Sequence, residues 1–107
     1  MSKTIRSFAI IAIVVSITWA AGFAQTSGAP VYKAKCQNCH GVTGMADTAV
    51  GKALKVKPVS DPAVMKFTDA AMIDATRNGI GKMQSFKDKL SDAEIRAAVA
   101  YFRSLAK

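Results

Sequence analysis

The amino-terminal part of the chain has the hydrophobic pattern of a secretory leader. Lys3 and Arg6 precede a strongly apolar run over residues 8–19, and residues 22–24 then supply the small-x-small pattern that signal peptidase requires. The sequence therefore predicts that residues 1–24 are removed as a signal peptide and that the protein is exported to the periplasm.

A retained membrane anchor is the alternative interpretation of this apolar run. A helix that spans a bilayer needs about 20 apolar residues. The run reaches that length only if its polar positions and the cleavage region are counted. We therefore expect cleavage, with residues 25–107 forming the mature domain and no stable membrane insertion afterwards.

The last stretch of the chain has the clearest helical pattern. Ser91 and Glu94 have the spacing of a capping box, and Leu90 and Ile95 can form a hydrophobic staple across it. Apolar residues then recur at helical spacing and predict one buried stripe, formed by Ile95, Ala98, Val99, Phe102 and Leu105.

Two earlier segments also have helical signals. Pro30 suits the first turn of a helix that continues through residues 31–35, because the missing N–H of proline costs nothing there. Thr68 is a candidate N-cap for a second helix, and Asn78 and Gly79 give that helix a clear end.

The remaining segments are rich in loop-forming residues. Residues 41–61 and 80–90 contain no run that alternates like a strand, although one or two helical turns are expected near residues 49–54. The sequence thus predicts a single all-α domain of three to four helices joined by long loops. Loops of this size in so small a domain indicate that a sizeable ligand lies among them.

Charge and cysteine content limit what can stabilise this domain. The 107-residue chain has a formal net charge of +8, which becomes +6 when Lys3 and Arg6 are lost with the leader. A domain this small often needs a disulfide, a metal or a large bound group. Its two cysteines, Cys36 and Cys39, are so close in sequence that a disulfide between them would restrain little of the chain.

Residues 36–40 read Cys-Gln-Asn-Cys-His, which is the C-x-x-C-H spacing of covalent haem attachment. Two residues three apart on a helical turn share a face, so the thiols of Cys36 and Cys39 can reach the two vinyl groups of one porphyrin. His40 follows directly and can ligate the iron. The sequence therefore predicts one haem c, attached through Cys36 and Cys39, with His40 as the proximal axial ligand.

Two other kinds of site share parts of this motif. A zinc site would need further ligands, and the chain contains no other cysteine or histidine. A thioredoxin-like redox pair is expected in a βαβ context, which the pattern of the chain does not provide. Both alternatives are therefore disfavoured.

The second axial ligand cannot be another histidine of this chain, because His40 is the only one. A methionine thioether is the obvious choice, since it needs no deprotonation and raises the reduction potential. Met45 is too close to His40 in sequence, and Met65 and Met72 suit core packing better. Met83 lies in a glycine-bearing loop and is the predicted distal ligand, with a flexible core filler as the alternative role.

With these motifs, the mature chain resembles the class I cytochromes c, particularly the small monohaem members of bacteria. The resemblance covers nearly all of the mature chain and is carried by residues 36–41, residues 78–83, Phe86 and the capped final helix with Tyr101. It implies the cytochrome c fold, with the long loops wrapped around one covalently bound haem.

The resemblance also implies specific contacts. The first and last helices should cross, with Tyr32 near Tyr101 or Phe102. In this family, a loop proline carbonyl often accepts a hydrogen bond from the proximal histidine, and Pro58 is the candidate here. Such a bond would orient the imidazole of His40 and raise its basicity.

The chain departs from the family pattern at two positions. Gln84 follows the predicted ligand methionine, where the family often has a proline. The only tryptophan, Trp19, lies in the leader, so another side chain must hold a haem propionate. The candidates are Arg77, Lys55 and Lys57.

An iron closed by His40 and Met83 has no free position for a substrate, so the sequence predicts an electron carrier and not an enzyme. We expect a monomer that exchanges single electrons with larger redox proteins whose docking surfaces are acidic. Nucleic acid is not expected as a partner, because an exported protein does not normally meet it and the aromatic residues are not interleaved with basic ones. The lysines that flank the predicted ligands are Lys33, Lys35, Lys82 and Lys87.

Two alternative functions stay open at the level of sequence. An open or labile sixth site would allow gas binding, sensing or weak peroxidase activity. An electron-transfer subunit of a dehydrogenase or oxidase complex would dock permanently on its partner.

Overall fold

The computed structural model describes residues 26–106, and the predicted signal peptide lies outside the described residues. The described part of the chain is helical, and its one isolated antiparallel bridge joins Ile80 and Met83. The all-α prediction is therefore confirmed. Within residues 26–106, six helices follow one another, namely α1 (Gly28–Lys35), α2 (Gln37–His40), α3 (Ala49–Ala53), α4 (Pro62–Met65), α5 (Asp69–Asn78) and α6 (Asp92–Ser104).

The helix count exceeds the predicted three to four because α2 and α4 are single turns. A four-residue turn is too short to establish a hydrophobic period. The start of α4 nevertheless had a local signal, since Asp61 accepts a hydrogen bond from the amide of Ala63 at 2.8 Å and Pro62 occupies the first turn.

Helix α6 begins with the predicted capping box. The hydroxyl of Ser91 accepts the amide of Glu94 at 3.1 Å, and the carboxylate of Glu94 accepts the amide of Ser91 at 3.0 Å. These two bonds satisfy N–H groups that the helix itself leaves without partners. The first turn of α6 is thereby fixed at its predicted position.

The core lies between α5, α6 and the loop that joins them. Ile95 and Val99 of α6 pack in one buried cluster with Met72 of α5 and with Phe86 and Leu90 of the connecting loop. The predicted stripe of α6 is thus largely the buried face of that helix. This cluster holds the connecting loop against α5 and α6.

Helix α1 packs against α6, which confirms the predicted crossing of the first and last helices. The ring of Tyr32 is 99% buried and lies 5.1 Å from the ring of Tyr101 and 6.2 Å from that of Phe102, centroid to centroid. Aromatic pairs at these separations add stability beyond the area that they bury. Because α1 crosses α6, the residues that follow α1 begin beside α6.

The loop after α5 forms a tight turn, which we call the strap (residues 80–83). Ile80 and Met83 exchange backbone hydrogen bonds of 3.1 and 2.9 Å around Gly81 and Lys82. Gly81 has a φ of +55°, and a positive φ at the first central residue alone is the pattern of a type II′ turn. The strap therefore presents Met83 from a defined backbone conformation.

Further bonds tie the chain beyond the strap to the end of α5. The hydroxyl of Ser85 donates to the carbonyl of Arg77 at 2.6 Å, and the amide of Phe86 donates to the carbonyl of Thr76 at 3.0 Å.

None of the helices between residues 26 and 106 is long and apolar enough to span a membrane.

Candidate functional site

A cavity of about 650 Å³ lies between the α1–α2 segment, the strap, α5 and α6. This volume is within the range of small-molecule and cofactor sites. Its apolar wall is contributed by residues distant in sequence, including Leu54, Val64, Phe67, Val99 and Phe102. The loops that the sequence predicted therefore form the walls of one site together with residues of α5 and α6.

Cys36, Cys39 and His40 all line this cavity. Cys36 forms the junction between α1 and α2, and its carbonyl accepts the amides of Cys39 at 3.2 Å and of His40 at 2.9 Å. One helical turn thus presents both thiols and the imidazole to the same space. The structure brings together all three residues of the predicted attachment motif.

The thiol of Cys36 does not have the character of a reactive cysteine. Burial, and to a lesser degree the neighbouring Cys39, raise the pKa of Cys36 to about 11. Reactive cysteines of oxidoreductases have lowered pKa values, because the thiolate is the nucleophile. Among residues 26–106 there is also no group of three metal-ligating side chains of the kind that zinc requires.

The imidazole of His40 is held by packing. Its ring lies 4.9 Å from the ring of Phe102, and burial lowers its pKa. A lowered pKa keeps the imidazole neutral, which is the form that can donate a lone pair to a metal.

The predicted hydrogen bond from His40 to Pro58 is not formed. The Nδ1 atom of His40 is buried and has no hydrogen-bond partner among the described residues, and the carbonyl of Pro58 accepts the amide of Asp61 at 2.9 Å. The Pro58 prediction was therefore wrong. Pro58 lies in a turn with Asp61, where its carbonyl closes that turn instead.

Tyr32 supports the backbone directly after His40, which the sequence analysis did not foresee. Its hydroxyl donates a buried hydrogen bond of 2.6 Å to the carbonyl of Gly41. Burial is the main cause that raises the pKa of Tyr32 to about 12, so the phenol stays protonated at neutral pH. The ring of Tyr32 also lines the cavity, and its side chain therefore links α1 to the His40 segment.

Two methionines line the cavity, Met83 of the strap and Met72 of α5. Met83 is partly buried against the core cluster that contains Met72. Met45 and Met65 are 48% and 56% exposed and do not line the cavity. The prediction that Met65 fills the core was therefore wrong: it is the last residue of a single-turn helix and points to solvent.

Four lysines contribute to the lining of the cavity, namely Lys35, Lys55, Lys57 and Lys82. Of the three predicted partners for a propionate, Lys55 and Lys57 are thus at the cavity. Arg77 instead forms an ion pair of 3.0 Å with Asp92. Lys33 and Lys87 are exposed but lie outside the lining.

The residues present fit haem c. The wall is mainly apolar, which suits a porphyrin, and two thiols one helical turn apart adjoin a neutral imidazole. The side chain of Met83 and several basic side chains also line the cavity, and the basic groups match the charge of the two carboxylates of a haem. Two thiols at this spacing, followed directly by an imidazole, are the attachment motif of haem c.

Comparison with known proteins agrees with this fit. Residues 23–102 match the model of the family described as cytochrome C oxidase, cbb3-type, subunit III. No match is found among curated protein sequences.

Solved structures of c-type cytochromes have the same fold. The KustC0563 c-type cytochrome is 31% identical with a TM-score of 0.69, and the match covers 76% of this chain and 99% of that chain. Cytochrome c6C from Synechococcus sp. PCC 7002 is 26% identical with a TM-score of 0.56, covering 74% and 93%. Cytochrome c6 from the diatom Phaeodactylum tricornutum is also 26% identical with a TM-score of 0.56, covering 74% and 90%. The chain therefore belongs to the family of c-type cytochrome domains that the cbb3-type subunit III model describes, and its cofactor is covalently bound haem c.

Proposed function

We propose that this cytochrome is a periplasmic carrier of single electrons, in which Cys36 and Cys39 hold the haem and His40 and Met83 are the axial ligands of its iron. One observation carries the proposal. The attachment motif and the thioether of Met83 come from segments more than 40 residues apart, yet both line the same cavity. Such an arrangement supports closure of both axial positions by the protein.

The bound haem supplies a one-electron couple between Fe(II) and Fe(III). The apolar side chains of the cavity exclude water, which favours the less charged ferrous state. A methionine ligand raises the reduction potential relative to stronger donors. Because His40 and Met83 leave no free position, the chain can pass electrons without exposing the metal to peroxide or oxygen.

The strap supports stable ligation even though Gln84 follows Met83. Ile80 and Met83 are joined by two backbone bonds, and the side chain of Gln84 accepts a hydrogen bond of 2.5 Å from Lys89. The bonds of Ser85 and Phe86 to α5 fix the next residues. These contacts replace the rigidity that a proline would give, and they argue against an open sixth site.

The charge of the protein supports a partner with an acidic docking surface. The chain is strongly basic, and Lys35 and Lys82 lie at the cavity that holds the haem. Opposite charges around a docking site accelerate encounter in a salt-dependent manner. The predicted signal peptide supports placing this exchange in the periplasm.

The family description favours a second candidate, an electron-transfer subunit fixed on an oxidase. A free carrier and a fixed subunit differ in what remains bound after gentle extraction. Purification of the native protein from its own cells at low salt distinguishes them, because a subunit elutes with larger redox proteins and a carrier elutes alone.

The ligand assignment is tested by Met83→Ala. Loss of the thioether should lower the reduction potential and allow the ferrous protein to bind carbon monoxide. Met65→Ala is the matched control, since Met65 is exposed and lies away from the cavity. An unchanged potential in Met83→Ala would show that another group ligates the iron.

A further inference from the structure

The cavity contains a second thioether that could compete for the iron. Met72 lines the same cavity as Met83, and it is 91% buried in the cluster against which Met83 packs. Both sulfur atoms are equally suitable ligands by chemistry, since neither needs deprotonation. A carrier with one defined potential requires that only one of them binds.

The sulfur of Met72 already has a partner. The Nη1 atom of Arg103, near the end of α6, lies 3.5 Å from Sδ of Met72. A thioether is a weak hydrogen-bond acceptor, so this single contact contributes little energy by itself. Its importance depends on how firmly the guanidinium group is held.

The guanidinium of Arg103 is held at two further points. Nη1 donates to the carbonyl of Phe67 at 2.6 Å, and Nε forms an ion pair of 2.9 Å with Asp69. These bonds join α6 to the residues just before and at the start of α5. Charge-assisted hydrogen bonds are stronger than neutral ones, and the planar group fixes their directions. Asp69 is largely exposed, so its ion pair contributes little energy, but together with the bond to Phe67 it sets the direction in which the guanidinium of Arg103 faces Met72.

We infer that Arg103 determines which methionine ligates the iron, by keeping the sulfur of Met72 on its guanidinium group and leaving the axial position to Met83. This inference rests on the proposed function, in which Met83 is the axial ligand. Arg103 is a positioning residue in this role, because it acts through Met72 and not on the iron. Without Arg103, the flexible side chain of Met72 is free to turn toward the haem.

The test uses the haem-loaded protein and measures carbon monoxide binding to the ferrous form. Met83→Ala alone should bind carbon monoxide readily. Adding Arg103→Leu should weaken that binding about tenfold or more, because Met72 then acts as an intramolecular competitor. Adding Met72→Leu as a third change should restore the binding. The proton spectrum of the double variant should also contain the shifted methyl resonance of a ligated methionine.

Arg77→Leu in the Met83→Ala background is the matched control. It also removes an arginine that pairs with a carboxylate between α5 and α6, but within residues 26–106 Arg77 forms no hydrogen bond to a methionine sulfur. General loosening of the fold would open the cavity and increase binding in both double variants. A decrease that is specific to Arg103→Leu and depends on Met72 therefore supports the inference.

Two results would overturn it. If Met83→Ala with Arg103→Leu binds carbon monoxide as tightly as Met83→Ala, Arg103 does not control Met72, and the proposed function is unaffected. If Met83→Ala does not bind carbon monoxide, a double variant with Met83→Ala and Met72→Leu distinguishes the two remaining explanations. If this double variant binds carbon monoxide, Met72 replaces Met83 as the ligand despite Arg103. If it does not bind carbon monoxide, Met83 is not the ligand, and the proposed function is overturned as well.

Discussion

At the scale of a single residue, Tyr32 links the helix crossing to His40, the proposed proximal haem ligand. Its ring packs on Phe102, which in turn contacts the imidazole of His40, and its hydroxyl holds the carbonyl of Gly41. The Nδ1 atom of His40 has no partner among the described residues, so packing and backbone position orient the imidazole. Tyr32 contributes to both.

Tyr32→Phe should therefore destabilise the protein by about 1 kcal/mol, the typical net value of one hydrogen bond. The loss should not be larger, because the amide of Gly44 remains 3.3 Å from the same carbonyl. Denaturant unfolding of the haem-loaded protein measures the change. Tyr101→Phe is the control, since its hydroxyl forms no hydrogen bond with residues 26–106; an equal loss in both variants would contradict this role for Tyr32.

At the scale of elements, the strap depends on the two glycines around it. Gly79 has a φ of +81°, and a Cβ there would lie 2.9 Å from the carbonyl oxygen of Met83. Gly81 has a φ of +55° but open space around its Cβ position. Substitutions at Gly79 and Gly81 therefore distinguish the effect of backbone strain alone from the effect of displacing the strap.

Gly79→Ala and Gly81→Ala should each lose about 1–3 kcal/mol of stability, because the positive φ at each position strains a residue that has a Cβ. Only Gly79→Ala should also weaken the proposed ligation by Met83, because its new methyl group pushes on the strap. Carbon monoxide binding to the two ferrous variants measures this difference. Equal binding would show that the position of the Met83 carbonyl does not control ligation.

The capping box of α6 gives the protein a defined acid sensitivity. The backbone amide of Ser91, and then its side chain, lower the pKa of Glu94 below 4.5. A carboxylate whose pKa is lowered by folding stabilises the folded state above its unfolded pKa, and this stabilisation is lost as the pH falls through the folded value.

Glu94→Gln should therefore lower the melting temperature at neutral pH, and the difference from wild type should vanish in acid. Glutamine keeps an acceptor for the amide of Ser91, so the comparison isolates the charge. The melting temperatures of both proteins are measured from pH 3 to 7, a range that extends about one pH unit or more on either side of the usual carboxyl pKa. A difference that does not change with pH would contradict the role of the carboxylate.

The elements with local signals could be predicted from sequence, and the contacts between them could not. The cap at Thr68 and the box at Ser91 depend on residues a few positions apart, so they were predicted correctly. Met65 and Pro58 were assigned roles that depend on the path of the chain between α3 and α5, and both assignments were wrong. The bond from Tyr32 to Gly41 and the contact of Arg103 with Met72 join separate helices, and no spacing rule indicates them.

At the scale of the whole molecule, net charge governs encounter with a partner. The basic side chains at the cavity should steer an acidic redox protein toward the haem, so the rate of electron exchange should fall as ionic strength rises. Lys82→Glu should reduce the rate several-fold at low salt by reversing one charge at the cavity. Lys66→Glu makes the same change outside the cavity lining, and an equal effect of both would show that only total charge matters.

The central claim of the proposed function concerns the whole fold: His40 of the helical motif and Met83 of the strap close both axial positions of one haem iron. The most direct test is addition of carbon monoxide to the ferrous wild-type protein at neutral pH. Closure by His40 and Met83 predicts no change in the visible spectrum. Ready binding would contradict closure, and the protein would then be an open haem site for gas binding or peroxide chemistry.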